Sequence, residues 1–206
     1  TPTQMTLFSW DGDIDTIMTP LDSVKYYKYF LRTGLMSVEP STGHVKAYVC
    51  GPDYNYFKYD NVTQMRRQVG STFKPFVYTL AMQEGEMSPC SKLPNVQVSI
   101  KTGPGQIWEP RNGSKKKRGE EVTLKWALAQ SNNWISGALI KKYGPEPVIQ
   151  MAKKMGVKSE IPNAYSIAWG SADLSLYEMV GAMSTFANKG VYIEPVFITK
   201  VADKNG

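Results

Sequence analysis

The sequence of 206 residues holds one histidine, His44, and two cysteines, Cys50 and Cys90. One imidazole cannot build a multi-histidine metal site, and any Ser-His-Asp hydrolase would have to use His44. That residue follows Pro40-Ser41-Thr42-Gly43, a turn signal between two short apolar runs, and reads as an exposed hairpin position. The cysteines lie far apart without metal-ligand spacing, so they are either free and buried or bridged in an oxidising compartment. No apolar run reaches the roughly 18 residues of a membrane span. No charged-then-apolar signal segment opens the chain, and repeats, low-complexity tracts and linkers are missing. With 42% hydrophobic and 20% charged residues, the composition excludes disordered, collagenous and coiled-coil classes. The length suits one domain with room for two lobes. The chain opens on Thr1 rather than Met, so a piece of a longer protein is expected.

Lys and Arg number 24 against 18 Asp and Glu, a net charge of +6. Much of the excess is the run Lys115-Lys116-Lys117-Arg118, between Gly113-Ser114 and Gly119-Glu120-Glu121. This run reads as a solvated loop tip, because a nucleic-acid patch would need aromatic or helical context around the charges. A general attraction to anionic polymers stays open.

The pattern along the chain is of helices mixed with hairpins. Gln4–Trp10 reads as a strand followed by an Asp-Gly-Asp turn. Thr19-Pro20 opens a helix that Gly34 stops. Leu35–Val38 and Val45–Cys50 form a hairpin, and a Gly/Pro/Asn/Tyr loop runs to about Gly70. Ser71–Gln83 is helical, with Phe73, Val77, Leu80 and Ala81 on a packed face. Val96–Ile100 and Gln106–Trp108 form a second hairpin across Thr102-Gly103-Pro104-Gly105. Helices follow at Thr123–Gln130, Ile135–Lys142 and Glu146–Met155, the last ended by Gly156. Ser175-Leu176-Tyr177-Glu178 is a capping box for a helix closed by Gly190, and Val191–Val201 is a final strand or pair. Without alternation of β and α, the fold class is α+β rather than a doubly wound sheet.

The sharpest chemical feature is Gln68-Val69-Gly70-Ser71-Thr72-Phe73-Lys74-Pro75-Phe76. Proline is tolerated only near a helix start, so the helix begins close to Ser71 and Gly70 supplies the tight lead-in. Ser71 then lies at a helix N-terminus, where free N–H groups suit an oxyanion. Ser71 and Lys74 share a face, which Tyr78 continues. A lysine wedged into a core is desolvated and loses basicity, and a neutral amine beside a serine can serve as its general base. With no usable histidine, Ser-Lys chemistry is the remaining serine-nucleophile option. A second candidate is Ser131-Asn132-Asn133, in a loop after the helix Thr123–Gln130. A second hydroxyl near the lysine can relay a proton to a leaving amine, and an amide side chain can hold a peptide backbone through donor and acceptor at once.

These two motifs resemble the first and second active-site motifs of penicillin-binding proteins, the D,D-transpeptidases of bacterial cell-wall synthesis. The Arg-Gln before the glycine and Phe-Lys-Pro-Phe after it resemble class A, the bifunctional type. Leu35–Gly51, Trp108–Asn112 and Leu174–Pro195 resemble the segments flanking the motifs. The third motif does not fit: Lys101-Thr102-Gly103 precedes the Ser-x-Asn motif, and Pro104-Gly105 makes it a hairpin turn. The resemblance therefore implies a penicillin-binding/β-lactamase-like transpeptidase fold cut before its Lys-Thr-Gly strand. Residues 1–206 would be a partial transpeptidase domain without the glycosyltransferase domain and membrane anchor.

By the same resemblance Ser71, Lys74 and Ser131 are catalytic, and Asn133 and Gly70 contact substrate. No cofactor or metal is implied. The implied partners are peptidoglycan stem peptides and β-lactams, with other cell-wall synthesis proteins in addition. No nucleic acid is implied, and contact with the membrane only through the missing anchor. The location is extracytoplasmic. The fragment is expected to fold at least partly and to be weakly active or inactive, because losing one of two oxyanion donors costs on the order of 10²–10³ in rate. The alternatives are a β-lactamase or β-lactam sensor of the same fold, a non-catalytic wall- or partner-binding module, and a basic nucleic-acid binder through Lys115–Arg118.

Overall fold

The computed structural model describes residues 1–103 and 105–204. Its first unit is a hairpin, β1 (Thr3–Leu7) and β2 (Ile14–Met18), followed by α1 (Pro20–Lys28). Thr19 caps α1 by accepting the Asp22 N–H, with Pro20 at the first helical position. The helix ends at Lys28 rather than Gly34. Gly34 serves a different need, since a Cβ there would lie 3.0–3.1 Å from Val62 and Asn61. Within this unit the Tyr26 hydroxyl donates to the Phe8 carbonyl at 2.8 Å and Phe8 meets Phe30 edge-on, while the edge-on contact of Phe8 with Phe57 ties the unit to the rest of the chain.

The hairpin β3 (Leu35–Val38) and β4 (Val45–Val49) stands where the alternation places it, with His44 exposed at its turn. Next come β5 (Arg66–Gln68), a 3₁₀ turn over Gly70–Phe73 and α2 (Lys74–Gln83). Phe73, Phe76, Val77, Leu80 and Ala81 are buried at 0–1% exposure, so the predicted apolar face is the centre of the core. Around α2 pack α3 (Leu124–Ala129), α4 (Asn133–Tyr143) and α5 (Pro145–Lys154). Short antiparallel ribbons lie at the periphery: β6 (Lys92–Pro94) with β9 (Glu121–Thr123), and β7 (Ile100–Gly103) with β8 (Gln106–Trp108). A second 3₁₀ turn over Tyr165–Trp169, β10 (Asp173–Ser175) and α6 (Leu176–Ala187) complete the order. The architecture is α+β, with all of these strand pairs antiparallel.

Several sequence expectations need correction. Val96–Ser99 is not strand; β7 starts at Ile100 and includes Lys101-Thr102-Gly103, so this Lys-Thr-Gly lies on a hairpin strand rather than in the turn. Pro104, expected in that turn, falls outside the described residues. Val191–Val201 is not a strand: it makes one parallel bridge, between His44 and Val196, and Pro195 has no N–H to extend a ladder. Cys50 is a half-buried free thiol and Cys90 an exposed one, so neither the fully buried nor the bridged alternative holds.

Glu178, legible only as the far end of a capping box, is a staple. It is 7% exposed and accepts from Lys158 N, Ser159 N, Ser159 Oγ, Ser175 N and Ser175 Oγ at 2.7–3.0 Å, with Arg66 at 3.5 Å. It thereby joins α6, both strands of the β5–β10 ribbon and the segment after α5. Burial alone would raise its pKa, but the Ser175 and Ser159 donors outweigh it and hold the carboxyl at about 2. The fall from 4.5 to about 2 corresponds to roughly 3 kcal/mol of stability. Because the folded-state pKa is depressed, this stabilisation is full above about pH 5 and is lost as pH falls toward 2. Glu178→Gln, which turns an acceptor into a donor facing donors, is expected to lower the unfolding free energy by about 3 kcal/mol in urea at pH 7. The gap between the two proteins should shrink steadily below pH 4.

Candidate active site

The Gly70–Phe73 segment is a 3₁₀ turn, not the first turn of an α-helix. A 3₁₀ turn has about three residues per turn, so side chains at i and i+3 eclipse. Ser71 therefore stands in line with Lys74. Ser71 is exposed, and among the described residues its hydroxyl has no hydrogen-bond partner. Lys74 is 1% exposed and begins α2, with Pro75 in the first turn. Gly70 takes φ +55°, which admits the sharp lead-in.

The lead-in is clamped from outside. β5 pairs with β10 in the register Gln68↔Asp173, Val69 N–H donates to Ala172 O, and Gly70 N–H donates to Gly170 O, both at 3.1 Å. Gly170 itself has φ +75°, and a Cβ there would sit 1.9 Å from the Gly70 carbonyl oxygen. Backbone against backbone at that distance leaves nothing flexible to give way.

The Lys74 ammonium meets three acceptors: Ser131 O at 2.6 Å, Asn133 Oδ1 at 2.7 Å and Ser131 Oγ at 2.9 Å. All three of its protons are thus used when it is charged. Burial disfavours the ammonium and pushes its pKa down to about 8. The two predicted motifs, well separated in sequence, therefore converge on one nitrogen. Asn133 is the first residue of α4 rather than a loop residue, and among the described residues no hydrogen bond joins the Ser71 hydroxyl to this group.

The turn carrying Ser131 is a helix stop of unusual composition. Ser131 N–H donates to Leu128 O and Asn132 N–H to Ala127 O, the pair of bonds of a Schellman motif. The residue at its left-handed position is usually glycine; here it is Ser131, at φ +49°. Such a conformation costs about 1–2 kcal/mol in a non-glycine residue, and it presents the Ser131 carbonyl and hydroxyl to Lys74 together. Asn132 then caps α4, its Oδ1 accepting from Trp134 N and Ile135 N.

Residues that sequence reasoning missed hold this turn. Asn133 N–H donates to Asn112 Oδ1, Asn133 Nδ2 to Arg111 O, and Trp134 Nε1 to Pro110 O. The Trp108–Asn112 segment, noted only for its position before the second motif, is the brace of that motif. Asn133 keeps one amide proton and one lone pair beyond its bonds to Arg111 and Lys74. Gly170 had no local signal, because the need for glycine comes from Gly70, a hundred residues earlier. An apolar groove lined by Met65, Leu174, Met179 and Met183 among others contains none of Ser71, Lys74, Ser131 or Asn133. Among the described residues no group of three His, Cys, Asp or Glu side chains is placed to hold a metal ion.

Comparison with known proteins shows the family of the chain. Residues 33–205 match the family model described as penicillin binding protein transpeptidase domain, and residues 1–31 match the one described as penicillin-binding protein middle domain. The chain belongs to the penicillin-binding protein transpeptidase family. Penicillin-binding protein 1A of Rickettsia conorii is 35% identical over 173 residues, 84% of this chain and 22% of that protein. Penicillin-binding protein 1A of Aquifex aeolicus is 34% identical over 180 residues, 85% of this chain and 24% of that protein. The crystal structure of penicillin-binding protein 1A from Haemophilus influenzae superposes with a TM-score of 0.78 at 31% identity, covering 85% of this chain and 26% of that one. These relatives are of the class A type, and the chain spans about a quarter of their length. The family's role is peptidoglycan transpeptidation in cell-wall synthesis.

The backbone clash at Gly170 ranks two substitutions. Gly70→Ala meets nothing within 4 Å and should cost only the left-handed strain, about 1 kcal/mol. Gly170→Ala adds the collision with Gly70 and should cost at least about 3 kcal/mol. Urea unfolding of the two variants checks the order; equal losses would mean that the clamp yields freely.

Proposed function

We propose that the chain carries the acylation machinery of a peptidoglycan D,D-transpeptidase, with Ser71 as nucleophile and Lys74 as its base. The observation that carries this reading is the buried Lys74 amine, within 2.9 Å of Ser131 and Asn133 and three residues after exposed Ser71 on one short helical turn. A pKa of about 8 leaves roughly a tenth of Lys74 neutral at pH 7, against well under a thousandth for an ordinary lysine. The neutral amine accepts the Ser71 proton as Oγ bonds to the carbonyl carbon of a D-Ala-D-Ala stem peptide. The Ser71 N–H, in the first turn of the helical segment, has no partner from within that turn and donates to the oxyanion. The proton then passes from Lys74 through Ser131 Oγ to the departing D-Ala nitrogen as the C–N bond breaks. A neighbouring stem's amine resolves the acyl-enzyme and forms the cross-link, giving up its proton by the reverse path.

Asn133 orients the substrate backbone with the amide proton and lone pair left to it, and Gly70 lets the substrate approach the lead-in closely. A β-lactam reacts as a substrate whose leaving group stays attached. On this reading residues 1–206 form part of a transpeptidase unit in a membrane-anchored protein acting outside the cytoplasm. Among the described residues no helix is long and apolar enough to cross a membrane, so the anchor would lie elsewhere in that protein.

Intact-mass measurement after incubation with a reactive penicillin tests the proposal, on this chain and on a version continued through a Lys-Thr-Gly strand. One penicillin adduct per chain is expected, slow on the short version and faster on the extended one, and abolished by Ser71→Ala. Lys74→Met should slow labelling by about 10²–10⁴. An adduct that survives Ser71→Ala, or none on a folded extended chain, would overturn the assignment.

A further inference from the structure

Asn95 is fully buried, at 0% exposure, and every polar group it has is used. Its N–H donates to Glu120 O at 2.8 Å and its carbonyl accepts from Gly119 N–H at 2.9 Å, prolonging the β6–β9 ribbon. Its Nδ2 donates to the carbonyls of Lys116 and Lys117 at 3.2 and 2.8 Å, so it closes the loop that bears the basic run. The remaining atom, Oδ1, accepts from Asn132 Nδ2 at 2.8 Å. Asn132 is itself buried, at 2% exposure, and stands between Ser131 and Asn133.

We propose that Asn95 is a positioning residue for acyl transfer: through Asn132 it fixes the turn that presents Ser131 and Asn133 to Lys74. The inference rests on the functional reading above for what the turn does, but not for how it is held. Buried polar groups that are all satisfied lock one arrangement, whereas a half-satisfied set is worse than an apolar core. Asn132 Oδ1 is committed to capping α4, so its Nδ2 is the amide's free hand, and Asn95 takes it. The three bonds to Lys74 are 2.6–2.9 Å long, and N–H···O bonds weaken beyond about 3.2 Å. A shift of well under 1 Å in a turn already held in a left-handed conformation would break the set. Displacements near 1 Å in reacting geometry cost about 10²-fold in rate.

The same bonds give the basic loop a defined seat. Arg118 lies over the Trp134 ring at 5.2 Å and Lys117 over Trp126 at 5.6 Å. The loop predicted as a freely solvated tip is exposed at its side chains but anchored at its root to the second motif.

The test compares Asn95→Ala, Asn132→Asp and a control, Ile149→Ala, at a temperature where all are folded by circular dichroism. Asn132→Asp keeps the cap oxygen of α4 and removes the Nδ2 donor. Ile149→Ala opens the core on α5 far from the turn in sequence. Penicillin acylation should slow at least tenfold in Asn95→Ala and in Asn132→Asp. It should slow no more than twofold in Ile149→Ala, even where that variant melts lowest. The double variant should be no slower than the worse single one, because the bond from Asn132 Nδ2 to Asn95 Oδ1 is lost in both single variants.

Hydrogen exchange supplies a readout independent of chemistry. The Trp134 and Ile135 amides, bonded to Asn132 Oδ1, should exchange at least tenfold faster in Asn95→Ala and keep their wild-type protection in Ile149→Ala. Unchanged exchange there, an acylation rate that tracks melting temperature across all variants, or additive losses in the double variant would overturn the proposal. An unlabelled wild type, in the version continued through a Lys-Thr-Gly strand, together with loosened Trp134 and Ile135 amides in Asn95→Ala would reject the functional reading and uphold Asn95 as the residue that fixes the turn.

Discussion

A single buried ammonium organises this protein. Lys74 leaves water on a helix whose other buried residues are Phe76, Val77, Tyr78, Leu80 and Ala81, and the lowering of its pKa from 10.5 to about 8 corresponds to roughly 3 kcal/mol spent against the charged form. Leaving a buried donor without its acceptor costs about 1–3 kcal/mol, and more where the donor is charged. The ammonium is tolerated because Ser131 and Asn133 supply an acceptor for each of its protons. The chain between those positions folds as α2, the β6–β9 and β7–β8 ribbons and α3, all packed so that the acceptors arrive at one nitrogen. On the proposed function, the cost to stability and the gain in chemistry have one origin, since the desolvation that disfavours the ammonium also leaves more of the amine neutral near neutral pH.

The supporting structure divides into two braces. On the Ser71 side, the β5–β10 ribbon and the contact of Gly170 with Gly70 hold the 3₁₀ turn that carries Ser71 and leads into Lys74. Glu178 holds that ribbon in turn, by collecting donors from Ser159 and Ser175 and the charge of Arg66. On the acceptor side, Arg111 and Asn112 hold Asn133 while Asn95 holds Asn132. Both braces rest on hydrogen bonds between segments distant in sequence. The apolar core positions α2, α4 and α5 against one another and leaves the last ångström to the polar bonds.

What the sequence disclosed and what it concealed follow the same division. Local signals were reliable: the Thr19-Pro20 and Ser175–Glu178 caps, the turn before His44, the apolar face from Phe73 to Ala81, and the constraint that Pro75 places on the start of α2. Ser71, Lys74, Ser131 and Asn133 were legible because proline, glycine and serine there have local consequences, and because the two motifs resemble a known pair. The 3₁₀ form of the Ser71 turn was not legible, since the Gly70 bond to Gly170 that shapes it crosses the chain. Asn95, Asn112 and Gly170 carried no pattern at all. Val191–Val201 had the composition of a strand but pairs only through the bridge of Val196 to His44, next to Pro195, which lacks an N–H, so propensity misled there, and Gly34 marked a close approach rather than a helix end.

The central claim is that Lys74 is both buried and deprotonable near neutral pH. Lysine amines labelled at the ε-carbon can be followed by NMR across pH 6–12 and assigned with Lys74→Arg. One resonance titrating near 8, clearly apart from the other lysines and absent in the variant, is the expected result. A Lys74 resonance titrating at its ordinary 10.5 with the rest would mean that the amine is solvated and protonated, and it would contradict a neutral base beside Ser71.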